Sequence, residues 1–96
     1  MEYEKFDDSI SKTIREALEK GNLVIGFKES LKNMVDDKVK MVYIVSNAKS
    51  DNLALFEHYV KTGEKRISFL DITNDKLGVV CKKPFNVSCV AILKEE

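Results

Sequence analysis

The sequence predicts an α/β fold in which one sheet is covered by helices on both faces. Two observations carry this. Stretches with apolar residues spaced three and four apart alternate with short, continuous apolar runs. Those runs, such as Leu23-Val24-Ile25 and Met41-Val42-Tyr43-Ile44-Val45, lack the alternation of a strand with one wet face. The resulting order, α-β-α-β-α-β-α-β, implies a mostly parallel central sheet with crossover helices. The chain's 96 residues are enough for one core and one domain, residues 1–96.

Each element has its own justification. Residues 3–19 place Phe6, Ile10, Ile14, Ala17 and Leu18 on a stripe of helical period, and Gly21 stands where a left-handed cap would end it. Leu23-Val24-Ile25 is a first strand, buried on both faces and closed by Gly26. Residues 30–35 form a short helix with Leu31, Met34 and Val35 inward, and residues 41–45 a second strand. Ser46-Asn47-Ala48-Lys49 is loop material, and Ser50 or Asp51 caps a helix carrying Leu53, Leu55, Phe56, Tyr59 and Val60 on one side until Gly63. Residues 66–70 read as a third strand. Thr73 or Asn74 caps a short helix through about Val80, which Pro84 cannot continue. Residues 87–93 close the chain as a fourth strand.

Composition excludes several classes of function. Apolar residues make up 44% and charged residues 33%, with 16 bases against 16 acids, which describes a globular chain rather than a disordered one. The longest apolar runs, such as residues 41–45, fall far short of a membrane span, and the acidic, mixed start is unlike a leader. Two cysteines without a CxxC imply reduced thiols in a cytoplasmic protein. Catalytic signals are missing. His58 is alone on a helix, no glycine-rich phosphate loop or zinc spacing exists, and Cys81 and Cys89 read as small core residues. Asp7-Asp8 and Asp36-Asp37 are neighbours that point about 100° apart on a helix and cannot share a proton. The expectation is no enzyme, no metal and no cofactor.

Three loops carry the remaining interest. After the first strand comes Gly26-Phe27-Lys28-Glu29-Ser30-Leu31-Lys32. A helix start there offers free N–H groups to a phosphate, with Lys28 and Lys32 on one side, although the same residues would make an ordinary strand-to-helix turn. Asn47 follows the second strand and has donors and acceptors suited to a base edge, or to turn-making. Cys81-Lys82-Lys83-Pro84-Phe85-Asn86-Val87 sets a large aromatic beside two lysines, as a platform for an unpaired base or as a lid on the core.

The spacing of these landmarks together resembles the kink-turn RNA-binding ribosomal protein superfamily. The resemblance runs from about residue 17 to residue 93. It rests on Gly21 and Leu23-Val24-Ile25-Gly26, on Lys28, Ser30 and Lys40, on Asn47-Ala48, on Glu57, Tyr59 and Gly63, on Leu77-Gly78, and on Lys83-Pro84-Phe85-Asn86-Val87. It implies a three-layer α/β/α sandwich with a four-stranded mixed sheet. It also implies binding to a sharply bent RNA whose bulge is flanked by tandem G·A pairs. Carried over residue by residue, the RNA contacts would be Gly26, Lys28, Glu29, Lys32, Asn47, Lys83, Phe85, Asn86 and Val87. The implied setting is ribosomal RNA in the large ribosomal subunit, with no membrane, no small-molecule substrate and a monomer outside the particle. The alternatives are a non-ribosomal kink-turn protein of a small ribonucleoprotein or ribonuclease P type, and a protein-interaction domain on the same fold.

Charge is distributed in keeping with that reading. Residues 1–20 hold six acids and four bases, and residues 51–80 five acids and four bases. Residues 21–50 hold five bases and three acids, and residues 81–96 three bases and two acids. The two positive segments contain the three loops.

Overall fold

The computed structural model of the chain describes residues 3–95. The first helix, α1 (Asp8–Lys20), presents Ile10, Ile14 and Ala17 to the core and ends at Gly21 in the left-handed conformation. It begins later than the apolar stripe suggested. The Asp7 carboxylate accepts from the Ile10 N–H at 3.0 Å and caps the helix there. Phe6 reaches the same core from an extended segment instead.

That segment pairs with the third strand. The Glu4 N–H donates to the Phe69 carbonyl, and Asp71 N–H donates to that of Glu4 at 3.0 Å.

The strands are β1 (Leu23–Ile25), β2 (Val39–Ile44), β3 (Ile67–Phe69) and β4 (Cys89–Leu93). They form one sheet in the order β1-β4-β2-β3. β2 and β3 are parallel, whereas β4 is antiparallel to both β1 and β2. The sheet is therefore mixed, and the mostly parallel pairing inferred from alternation alone is corrected. β1, β2 and β3 all run one way, but β4 returns between β1 and β2 and separates them. β1 is a half-buried edge strand rather than a strand buried on both faces.

Helices cover both faces and complete three layers. α1 and α5 (Asn74–Val80) enclose Tyr43, Val45, Leu70, Val90 and Ile92 on one face. On the other, α2 (Phe27–Val35) packs over Val42, Ile44, Cys89 and Ala91. Phe56 joins that second core fully buried, its ring centroid 6.1 Å from that of Phe27. Fully burying one such side chain contributes about 1.5–3 kcal/mol.

The expected third helix is broken in two. α3 (Ser50–Leu53) and α4 (Glu57–Lys61) flank a 3₁₀ turn at Ala54–Phe56, and Lys49, not Ser50 or Asp51, occupies the cap position without a side-chain bond. Leu55 and Val60 consequently stay partly exposed. The helices are short, and none of those described is long and apolar enough to cross a membrane.

Candidate nucleic-acid interface

The strand directions decide where the site lies. The carboxyl ends of β1, β2 and β3 and the amino end of β4 share one edge of the sheet. All three loops singled out in the sequence therefore meet there, together with the β3–α5 connection.

Hydrogen bonds stitch the four loops together. Gly26 N–H donates to the Cys89 carbonyl at 2.9 Å, and Val45 N–H to that of Ser88 at 3.0 Å. The Ser46 backbone and hydroxyl both donate to the Ile72 carbonyl at 3.0 Å. Asn47 clasps Asn74: its Oδ1 accepts from the Asn74 N–H at 2.9 Å and its Nδ2 donates to Asn74 Oδ1 at 3.2 Å. Val87 N–H in turn donates to the Asn74 carbonyl at 3.1 Å.

The β1–α2 connection is shorter than the sequence suggested. Gly26 alone turns the chain, at φ 108° and ψ 153°, a conformation that side-chain-bearing residues avoid. α2 starts at Phe27 rather than Ser30, so Lys28 and Glu29 lie in its first turn and Lys32 one turn further on, all three exposed. No side chain caps this helix, which leaves the first-turn N–H groups of Phe27, Lys28 and Glu29 without intrahelical partners. They add a partial positive charge beside the two lysines. Ser30 is fully buried and takes no part at the surface.

The α5–β4 loop presents Phe85, 56% exposed, beside exposed Asn86 and half-buried Lys83. An aromatic ring held out to solvent in a pinned loop has a face on which an unpaired base can stack. Val87 departs from the expectation. It is 2% exposed and packs in the α1–α5 core, because the bond to Asn74 draws the chain inward before β4 begins. Its side chain anchors the loop and offers little surface to a base. Asn47 is exposed but already engaged at both ends of its amide, which leaves one N–H and one lone pair for a ligand.

Most ion pairs gather at the end of the molecule away from these loops. At the far end, Lys20 pairs with Glu95 at 2.9 Å, Arg66 with Asp37 at 2.8 Å and with Glu64 at 2.9 Å, and Lys94 with Asp37 at 3.2 Å. These bonds hold the Asp37, Glu64 and Glu95 carboxyls below their ordinary range. At the loop end, Lys28, Lys32, Lys82 and Lys83 make no ion pair among the described residues. Their charge is free to meet an anion.

The cysteines lie inside. Burial pushes the Cys81 thiol up to about 11 and the Cys89 thiol up to about 12, so neither is a nucleophile at neutral pH. Among the described residues no group of three or more His, Cys, Asp and Glu side chains could hold a metal ion.

Two residues of the site were not singled out for a role from the sequence. The sequence offers Asn74 only as a helix cap and Gly78 only as a spacing landmark. The sequence carried a signal for Gly78, a glycine inside a short helix, where it costs stability unless something packs against it.

Known proteins resemble this chain in sequence and in fold. The large ribosomal subunit protein eL30 of Methanococcus vannielii is 32% identical over 90 residues, spanning 94% of this chain and 86% of its own. Its counterpart from Methanothermobacter thermautotrophicus is 34% identical over 83 residues, covering 86% of this chain and 85% of its own. In fold, the chain is similar to a solved 15.5 kD RNA-binding protein from Giardia lamblia, with a TM-score of 0.78 at 18% identity, over all of this chain and 82% of the other. Residues 8–96 match the model of the ribosomal protein L7Ae/L30e/S12e/Gadd45 family, which takes in all four strands and every loop of the site, and the chain belongs to that family.

Proposed function

We propose that the chain is a non-catalytic RNA-binding component of the large ribosomal subunit, recognising a kink-turn or related internal loop in ribosomal RNA through the end of the sheet where its loops meet. One observation carries the reading. A solvent-exposed Phe85, an uncapped helix start and four lysines without ion-pair partners sit together at one end of the sheet.

Each group has a task. Lys28, Lys32 and Lys83, with the free N–H groups of α2, meet phosphates or guanine acceptors. Glu29 accepts from a base amino group, and Gly26 lets a base approach the backbone closely. Phe85 stacks on an unpaired base beside Asn86, and Val87 holds the loop from within. The chain's zero net charge sets this apart from loose, charge-driven binding, so shape carries the recognition. The eL30 relatives are large-subunit proteins by name, which supports ribosomal RNA in cytoplasmic ribosomes as the target. Outside the particle the protein is a monomer.

Cosedimentation combined with crosslinking tests this. Cell lysate resolved on a sucrose gradient should show the protein with the large subunit, and sequencing of crosslinked RNA should place it on a kinked internal loop of ribosomal RNA. Protein found only in the free pool, or crosslinked only to small non-ribosomal RNAs, would overturn it.

A further inference from the structure

We propose that Gly78 and Asn74, one turn apart on α5, are positioning residues that form a shelf for the Phe85 loop and so set where its ring meets RNA. The inference rests on the RNA-binding reading above. A β-carbon on Gly78 would lie 2.4 Å from the Phe85 carbonyl oxygen, 3.4 Å from its carbon and 3.5 Å from the Asn86 α-carbon. No side chain fits there, so the backbone of the loop lies directly on the helix at the residue that carries the ring.

Two hydrogen bonds fix the loop on either side of that contact. Lys83 N–H donates to the Gly78 carbonyl at 3.0 Å, and Val87 N–H donates to the Asn74 carbonyl at 3.1 Å. Asn74 is itself held by both ends of the Asn47 amide. The segment from Lys83 to Val87 therefore spans between two points of one helix face, with Phe85 pressed onto the shelf between them and its ring turned out. Asn47 acts on Phe85 through Asn74, in addition to whatever it offers a base directly. A glycine inside α5 costs helix stability relative to alanine, and the close approach of Phe85 accounts for its presence.

The chain contains no tryptophan, so Phe85→Trp places a single tryptophan in the loop, excited selectively over the three tyrosines, and keeps a stacking ring. Emission and acrylamide quenching of the free protein read the loop's position. Affinity for a kink-turn RNA duplex reads its consequence. Adding Gly78→Ala should change emission and quenching and weaken RNA binding roughly tenfold or more, approaching the loss of the ring itself. Val79→Ala, at the exposed neighbouring position, should change neither. In a Phe85→Ala background, Gly78→Ala should add almost no further loss of affinity, because its effect passes through the ring; full additivity would overturn the shelf, as would unchanged emission and affinity in the Phe85→Trp pair. Circular dichroism confirms folding of each variant. If Gly78→Ala does not fold, Asn47→Ala, which removes both side-chain bonds that hold Asn74, tests the shelf from its other end by emission of the free protein, with a change expected and no change overturning it. Failure of the unaltered protein to bind the RNA would overturn the RNA-binding reading, while emission would still report the shelf by itself.

Discussion

Phe85→Ala should separate binding from folding. The residue is 56% exposed, so less than half of its surface is covered by the protein. Full burial of such a side chain is worth about 1.5–3 kcal/mol, so truncation should cost folding about 1 kcal/mol at most. For a domain of this size that lowers the melting temperature by about 4–8 °C. A stacked base contributes about 1–3 kcal/mol, so RNA affinity should fall about 5- to 150-fold. Val87→Ala is the reciprocal case two residues away. Val87 is 2% exposed within the core, and the lost methyl groups and residual cavity should cost about 1.5–3 kcal/mol of stability. RNA affinity of the folded Val87 variant should fall far less than that of the Phe85 variant, because the backbone bond from Val87 to Asn74 still holds the loop. Thermal unfolding by circular dichroism and RNA titration by fluorescence anisotropy, on the same preparations, measure both quantities. Unchanged RNA affinity in the Phe85 variant, or an unchanged melting temperature in the Val87 variant, would refute the division of labour.

Three further outcomes follow from the geometry. Lys82 ends α5 at φ 58°, a left-handed conformation that costs a side-chain-bearing residue about 1–2 kcal/mol, so Lys82→Gly should raise stability by about 1 kcal/mol in urea unfolding; no gain would refute the strain. The Asp37 carboxyl is held below its ordinary value of 3.8 first by Lys94 and then by Arg66, and Arg66 holds Glu64 below 4.5. Because these folded-state values lie below the unfolded ones, their stabilisation is present above about pH 4.5 and is lost as pH falls through the folded values. The urea midpoint should therefore decline on the acid side, and less steeply in an Arg66→Gln, Lys94→Gln variant; identical acid limbs would count against the pairs. Finally, the raised Cys81 and Cys89 thiols should resist iodoacetamide at neutral pH until urea unfolds the chain, and rapid labelling of the native protein would contradict their burial.

Most elements were legible because their signals are local. The Ile10, Ile14 and Ala17 stripe, the Gly21 cap and the apolar strands each depend on residues close in sequence. Starting points were harder to read. Asp7 stops α1 from extending back to Phe6 through one side-chain bond, and Gly26 lets α2 begin immediately after β1, which moved Lys28 and Glu29 from loop to helix. Strand pairing was not local at all. Only the resemblance to known RNA-binding proteins, not the alternation of elements, indicated a mixed sheet, because nothing in residues 89–93 states that β4 inserts between β1 and β2. In the site, exposure of Lys28, Glu29, Lys32 and Asn86 follows from residue type, whereas the sequence leaves Phe85 open between a platform and a lid on the core, and only the fold shows its ring exposed. Burial of Val87 is not legible in the sequence, since it depends on a backbone bond to Asn74, 13 positions earlier. Gly78 illustrates the same limit: its role depends on a carbonyl seven residues away that only the folded chain brings against it.

The central claim is that the loop end reads the shape of a bent RNA, with few phosphate contacts. The measurement that tests it most directly is a titration of the unaltered protein with a kink-turn duplex and with a straight duplex of the same composition, across a salt series. Each phosphate contact steepens the log–log salt slope by about 0.7–0.9. Clear preference for the kink-turn is expected, retained at elevated salt, with a slope no steeper than about −4 if Lys28, Lys32, Lys82 and Lys83 supply the contacts. Equal affinity for both duplexes with a steep slope, or no binding to either at low salt, would contradict it.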